Sequence, residues 1–222
     1  MLLALDTSTA QTGLSLYDGV QILGEMTWSS HLRQTVEMAP AIVELLKHVG
    51  ANIEAVDAVG VAIGPGSFTS LRVGLSLAKG LVLARHIPLI GVPSLDILAA
   101  AVPVQPIPLA AILQAGRGRL AVGWYHASVD GWLSDGPAKT YTVDELADRI
   151  TSPTLVCGEL NAEERQRLAR KYKNANISSP ANCVRRPGIL AELAWQRWQA
   201  GDTDAVAPLA PIYLPTAGVP NP

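Results

Sequence analysis

The sequence predicts an α/β protein of two lobes, and three observations carry that expectation. Strand-like and helix-like segments alternate through the first hundred residues. Each half opens on a strand–turn–strand hairpin, and the proline-spaced link "PVQPIP" at 103–108 separates the halves. The expected boundaries are 1–104 for a β-β-β-α-β-α-β-α lobe and 105–222 for a smaller α/β lobe ending in a proline-rich tail.

Taken in order, Leu2–Asp6, Gly13–Tyr17 and Val20–Trp28 read as three consecutive strands. "DTSTAQT" turns between the first two, and Asp18-Gly19 is a hairpin signal between the next pair. A helix is expected over Gln34–Val49, with Val36, Ala39, Val43, Leu46 and Val49 at helical spacing as its main stripe and Gly50 at its end. "DAVGVAI" reads as a buried strand, Ser67–Ala84 as a helix capped by Ser67 or Thr69, "IPLIGV" as a strand, and "SLDILAAAV" as a short helix capped by Ser94. In the second half "LAAIL" and "LAVGWY" are strands joined by "QAGRGR". Helices follow around Val143–Ile150, Ala162–Lys171 and Ile189–Gln199, with the strand "TLVCG" between the first two. The tail "APLAPIYLPTAGVPNP" holds too many prolines for a helix and is expected to lie extended over the surface or against a partner.

Bulk composition narrows the function classes. The chain of 222 residues is 49% hydrophobic and 16% charged, which excludes a disordered polymer. The net charge is −2: residues 1–105 hold 5 basic and 8 acidic groups, the remainder 12 and 11. Neither half has the basic excess of a stand-alone nucleic-acid binder. The local cluster Arg165, Arg167, Arg170, Lys171 and Lys173 fits a solvated helix face, or a contact with RNA held by a larger assembly. Cys157 and Cys183 have no CxxC spacing, so neither a disulfide framework nor a zinc knuckle is expected. The apolar start is too short for a leader, and no run approaches a membrane span. A reduced, soluble, cytoplasmic protein is expected.

The stretch "VAIGPGSFTSLRVGLSLAKG" poses the functional question, since a glycine-rich loop opening a helix suits either an anion or a docking surface. Two-lobed ATP-binding folds of the actin and sugar-kinase type need two opposed donor-rich turns, with carboxylates for Mg²⁺. Asp6, Thr7, Ser8 and Thr9 fit the first turn, but Gln114 followed by "AGRGR" stands where the second carboxylate belongs. "GPGSFT" lacks the lysine of a phosphate loop and does not match GxGxxG. There is no GxSxG or HExxH, and His31, His48, His86 and His126 are scattered, so no catalytic residue, metal or cofactor is expected. A small-molecule kinase or ATPase using Asp6 and Thr9 stands as the rival function.

The helix after the loop points elsewhere. Ser70, Gly74 and Ala78 form a small-residue stripe, Leu71, Leu75, Ala78 and Val82 an apolar row beside it, and Val73, Leu77, Leu81 and Ala84 another. Arg72 and Lys79 are the charges among them. A helix apolar all round must be covered twice. Met38, Ile42 and Leu45 lie off the main stripe of the preceding helix, so a two-helix patch is expected, covered by a partner or by the second lobe. The expected interface comprises Val36, Met38, Ile42, Leu45, Gly64, Pro65, Gly66, Ser67, Phe68, Thr69, Ser70, Leu71, Arg72, Gly74, Leu75 and Ala78.

"LLALDTSTAQTGLSLYD", "AIGPGSFTSLRVGLSLAKGL", "IPLIGVPSLDIL" and "PIYLP" together resemble the bacterial TsaB (YeaZ) family, formerly labelled glycoprotease-like. The likeness covers the first lobe closely and the second loosely. It implies an actin-like ATPase (ribonuclease H-like) fold with mixed sheets flanked by helices. It further implies a non-catalytic subunit that binds and orients a catalytic TsaD homologue through first-lobe helices and works with the ATPase TsaE. The resemblance also implies tRNA contact only within the complex and a homodimer when alone, the assembly placing threonylcarbamoyl on the adenosine next to the anticodon. Departures from the family pattern are Ser70 for a glycine, Gln114-Ala115-Gly116 for Asp-Ala-Arg, Gln34 for a histidine (with His31 nearby), and Pro215 after Tyr213-Leu214.

Overall fold

The computed structural model describes residues 1–30, 33–170 and 174–214. In chain order the elements are β1 (Leu2–Asp6), β2 (Gln11–Tyr17), β3 (Ile22–Ser29), α1 (Gln34–His48), β4 (Ala58–Ala62), α2 (Phe68–Arg85), β5 (Leu89–Val92) and α3 (Ser94–Ala100). There follow β6 (Leu109–Gln114), β7 (Leu120–Ser128), β8 (Gly131–Ser134), β9 (Lys139–Tyr141), α4 (Val143–Arg149), β10 (Thr154–Gly158), α5 (Ala162–Ala169), β11 (Ala175–Ile177) and α6 (Pro187–Gln199). Single 3-10 turns sit at Ile53–Ala55 and Pro180–Cys183.

The expected strands and helices of both halves are present, with ends shifted by a few residues. Three short strands, β8, β9 and β11, were not anticipated. Strands of three or four residues hold too few alternations for a period to emerge. His31, Lys171, Lys173 and the tail from Pro215 onward, which entered the sequence expectations, lie outside the described residues.

The first unit holds a five-stranded mixed sheet in the order β3-β2-β1-β4-β5. β1 pairs antiparallel with β2 and parallel with β4, and β4 parallel with β5. The β2–β3 hairpin turns where Asp18-Gly19 is placed, because the Asp18 carboxylate accepts the Val20 and Gln21 N–H groups at 2.8 Å and Gly19 takes φ 97°. Strands buried on both faces read as unbroken apolar runs, and β1 is such a strand. Leu3 and Leu5 join Leu14, Leu16, Val59 and Val61 in a core closed by α1 and α2. Leu2 and Ala4 join Ala58, Ala62 and Ile90 in a second core closed by Leu190, Ala191 and Ala194 of α6.

That second core departs from a sequential split after residue 104. Met1–Ile97 groups with Arg186–Ile212, while Leu98–Arg185 forms the second unit. The physical reason is that both long helices of the first hundred residues lie on one face of the sheet, so α6 returns to cover the other. Glu25 fixes its start by accepting the Gly188 N–H at 2.9 Å and pairing with Arg186 at 2.5 Å. Past α6, Asp204 accepts the Gly91 N–H at 2.8 Å and the Ile212 N–H bonds to Ile63 O at 2.7 Å. The proline-rich segment up to Ile212 therefore runs along the first unit.

The second unit carries a six-stranded sheet ordered β11-β10-β6-β7-β8, with β9 also pairing β7. Its helices begin on reciprocal caps: Thr142 with Glu145 for α4, and Asn161 with Glu164 for α5. Among the described residues no helix is long and apolar enough to cross a membrane.

Leu190 is fully buried in the core beneath α6. Leu190→Ala should destabilise the first unit by about 2–4 kcal/mol. Urea unfolding followed through Trp195 and Trp198 on the same helix would read this directly. A change below about 0.5 kcal/mol would place α6 outside that core.

Candidate docking site

The residues expected at a nucleotide loop are brought together, as a turn folded in on itself. Asp6, Thr7, Ser8 and Thr9 are all buried. The Asp6 carboxylate accepts the Ser8 N–H at 2.8 Å, and the Thr9 hydroxyl accepts the Gln11 N–H at 3.2 Å. The turn is then seated on α2. Thr7 donates its hydroxyl to Ser70 O at 2.7 Å, and Ser8 O accepts the Ser67 N–H at 2.6 Å. Ser8 Oγ and Ser94 Oγ lie 2.6 Å apart, and Ser94 Oγ also accepts the Gly64 N–H at 3.1 Å.

Two glycines make this seating achievable. A Cβ on Gly66 would stand 2.1 Å from Ser8 O, and one on Gly74 would stand 2.3 Å from Thr7 Oγ1. At the start of α2, where an anion could dock, the Ser67 N–H already holds a carbonyl of the same chain. Ser67 occupies the N-cap position, but contrary to expectation its hydroxyl caps nothing and instead accepts from Ser70 Oγ at 3.1 Å. Ser94 likewise spends its hydroxyl on Ser8 and Gly64.

Burial corrects ten of the sixteen residues of the expected interface. Ser70, Leu71, Gly74, Leu75 and Ala78 are buried within the first unit, Ala78 at 0% exposure. The small-residue stripe does admit a close backbone, but that backbone is the protein's own β1–β2 turn. Gly64 and Pro65 are buried beside Ser94 and Ile212, so they shape the interior. On α1 the inward face is wider than the expected stripe. Leu46 of that stripe is core as expected and Val49 packs against it, but Met38, Ile42 and Leu45, read as lying off the stripe, are core too, while Val36, Ala39 and Val43 are exposed. Both sets repeat at helical spacing; the larger side chains win the inward position because they remove more apolar area from water.

What remains outside is a groove of about 450 Å³ between α1 and α2. Thr35 and Ala39 line one wall; Phe68, Val73, Ser76 and Leu77 line the other. Phe68 is 54% exposed, with the Arg72 guanidinium 3.7 Å above its ring, and Val43, 66% exposed, extends the apolar surface along α1. Ala39, Ser76 and Gly80 are small and outward, so a second helix could approach the floor closely. Phe68, Thr69 and Arg72 of the expected interface are on this surface, with Val36 exposed nearby on α1. Thr35, Ala39 and Ser76 were missed, and Val73 and Leu77, read as part of an apolar row of α2, were left out of the expected interface. Ser76 and Gly80 continue the row of Phe68 and Arg72 at i+4 spacing, a signal present in the sequence.

In the second unit Gln114 has a structural explanation. Its amide nitrogen donates to Glu164 Oε2 at 2.8 Å and to Glu159 O at 3.2 Å, and its N–H reaches Glu159 Oε2 at 3.2 Å. Glu159 also pairs with buried Arg185 at 2.6 Å. An aspartate here would set a third carboxylate against two, whereas the amide supplies donors. Of the described members of the basic cluster, Arg167 and Arg170 are exposed, Arg167 pairing with Asp144, while half-buried Arg165 reaches Ser178 O at 2.9 Å. Among the described residues no group of three or more acidic, histidine or cysteine side chains could hold a metal.

Burial assigns opposite outcomes to neighbouring substitutions on α2. Ala78→Glu should cost about 3 kcal/mol or more, by forcing a carboxylate into the core. Ser76→Glu, on the outer wall, should change stability by no more than about 0.5 kcal/mol. Paired thermal melts would check this, and equal losses for both would contradict the orientation of α2.

The family model described as TsaD, tRNA N6-adenosine threonylcarbamoyltransferase, matches residues 22–182. The tRNA threonylcarbamoyladenosine biosynthesis protein TsaB of Haemophilus influenzae is 39% identical over 45% of this chain and 42% of its own length. The chain spans about half the length of the curated TsaB relatives it matches. An uncharacterized protein of Mycobacterium tuberculosis is 31% identical over 96% of this chain and 90% of its own. YeaZ from Pseudomonas aeruginosa superposes with a TM-score of 0.78 at 23% identity, covering 96% of this chain and 99% of that one. The chain thus belongs to the TsaD family, tRNA N6-adenosine threonylcarbamoyltransferase, and within it to the TsaB (YeaZ) proteins with the actin-like ATPase fold.

Proposed function

We propose that this chain is a non-catalytic docking subunit in the biosynthesis of tRNA threonylcarbamoyladenosine. The α1–α2 groove binds and orients a catalytic TsaD homologue, and binds a second copy of this chain when that partner is absent. The observation that carries the proposal is the pairing of a sealed β1–β2 turn on the inward side of α2 with an open apolar groove on its outward side. The Thr7 and Ser8 hydroxyls and the N-cap N–H of Ser67 are engaged inside the chain. Meanwhile Phe68 and Val43 stand exposed on the two helices, outside the core of the first unit. The TsaB relatives, whose names carry this biosynthesis, support the pathway assignment.

No residue of this chain performs the acyl transfer in this account. The TsaE ATPase and the tRNA join through the assembly, in the cytoplasm. The inward turn of Arg165 and the pairing of Arg167 with Asp144 leave fewer cations for RNA than the raw sequence offers. A kinase or ATPase centred on Asp6 would need to open the turn, breaking the Ser8–Asp6 and Ser67–Ser8 hydrogen bonds.

Ser76→Arg introduces a long charged side chain at the small floor of the groove. Capture of the TsaD homologue of the same organism should weaken by at least about tenfold, corresponding to roughly 1.4 kcal/mol. Sedimentation of the variant alone should shift toward monomer while circular dichroism stays unchanged. Undiminished capture and an unchanged dimer would reject the groove as the interface. ATP–Mg²⁺ binding that is lost in Asp6→Ala would favour the kinase instead.

A further inference from the structure

The proposed function uses neither cysteine, yet the second unit brings the two together. Cys157, within β10, and Cys183, closing the 3-10 turn Pro180–Cys183, come from positions 26 apart, with sulfur atoms separated by 3.7 Å in a buried contact. Both thiols are free and buried, Cys157 at 0% and Cys183 at 8% exposure. We propose that Cys157 and Cys183 form an oxidisable dithiol that a hydroperoxide converts to an intrachain disulfide.

The surroundings differentiate the two sulfurs. Cys157 Sγ lies 3.3 Å from Asn182 O and sits on a strand paired on both sides, with β6 and β11. Of the two, Cys183 alone retains any solvent exposure. Arg165 of α5 donates one N–H to Ser178 O at 2.9 Å and directs the other toward Cys183 Sγ at 3.5 Å, fixing a cation beside one sulfur. The Cys157 thiol contact, together with the Arg165 guanidinium, lowers the Cys183 thiol below its ordinary range, while the same contact and burial push Cys157 up. A thiolate is the reactive form of cysteine, so Cys183 is the attacking atom and Cys157 the resolving one.

The steps balance. The Cys183 thiolate attacks the terminal oxygen of the hydroperoxide, forming a sulfenic acid as the O–O bond breaks and the alkoxide leaves to take a proton as alcohol. Cys157 sulfur then attacks Cys183 sulfur, the S–O bond breaks, and the hydroxide leaves as water with the Cys157 proton. Two thiols and one hydroperoxide give one disulfide, one alcohol and one water. Closure to a bond of about 2.05 Å requires the sulfurs to approach by about 1.7 Å. Cys157 is held in a strand paired on both sides, so the approach falls to Cys183, on a single turn bounded by extended residues at Ser179 and Val184. The bond would tie together the segments that Arg185 and Glu159 join by their ion pair, each two residues further along.

The test uses the full chain, reduced, then exposed to tert-butyl hydroperoxide and quenched with N-ethylmaleimide. Intact mass should fall by about 2 Da with no alkylation, and proteolysis should release one peptide joined through Cys157 and Cys183. Dithiothreitol should restore both reactive thiols. Cys157→Ser should stop at a dimedone-trappable sulfenic acid on Cys183, and Cys183→Ser should consume peroxide at least about tenfold more slowly. Two alkylated cysteines after peroxide would overturn the proposal. So would sulfinic acid without the cross-link, or disulfides formed only between chains.

Discussion

The β1–β2 turn resting on the backbone of α2 is the contact on which the rest depends. Thr7 and Ser8 can reach that backbone only because Gly66 and Gly74 leave room for them. The contact does two things at once. It engages the Thr7 and Ser8 hydroxyls and the N-cap N–H of Ser67 within the chain. It also sets the rotation of α2, so that Ser70, Gly74 and Ala78 face inward while Phe68, Ser76 and Gly80 face out. A closed turn and an open groove are therefore two consequences of one packing choice.

Much of this was legible in the sequence, and the errors have a common physical origin. Element types follow from periodicity and turn residues, as with Asp18-Gly19 and the hydrophobic runs of β1 and β4. Periodicity fixes that a helix has a stripe; it leaves open which stripe when two satisfy 3.6 residues per turn. On α1 the choice falls to side-chain size, and Met38, Ile42 and Leu45 exclude more water than Val36, Ala39 and Val43. On α2 it falls to a contact with residues about 60 positions earlier, which no local pattern contains. The small-residue stripe correctly signals a close backbone, but its owner is legible only in three dimensions.

Long-range return also explains the unit boundaries. Nothing in "PGILAELAWQRWQA" says that its apolar side belongs to a sheet begun at Leu2. The one clue in the chain is a need for cover: β1 is apolar at successive positions, so both faces need a lid. Gln114 shows the reverse case, where a departure from a family pattern is explained by its neighbours. Once Glu159, Glu164 and Arg185 converge there, an amide donor satisfies more partners than a carboxylate would.

The chain contains a single phenylalanine, Phe68, and it lies on the wall of the groove. Replacing it uniformly with 4-fluorophenylalanine therefore yields one fluorine resonance that reports on the proposed interface and on nothing else in the chain. Titration with the TsaD-type partner should move or broaden that resonance until the partner is stoichiometric, as the ring passes from water into a packed contact. A complex that forms by sedimentation while the fluorine signal stays at its free position would contradict the account.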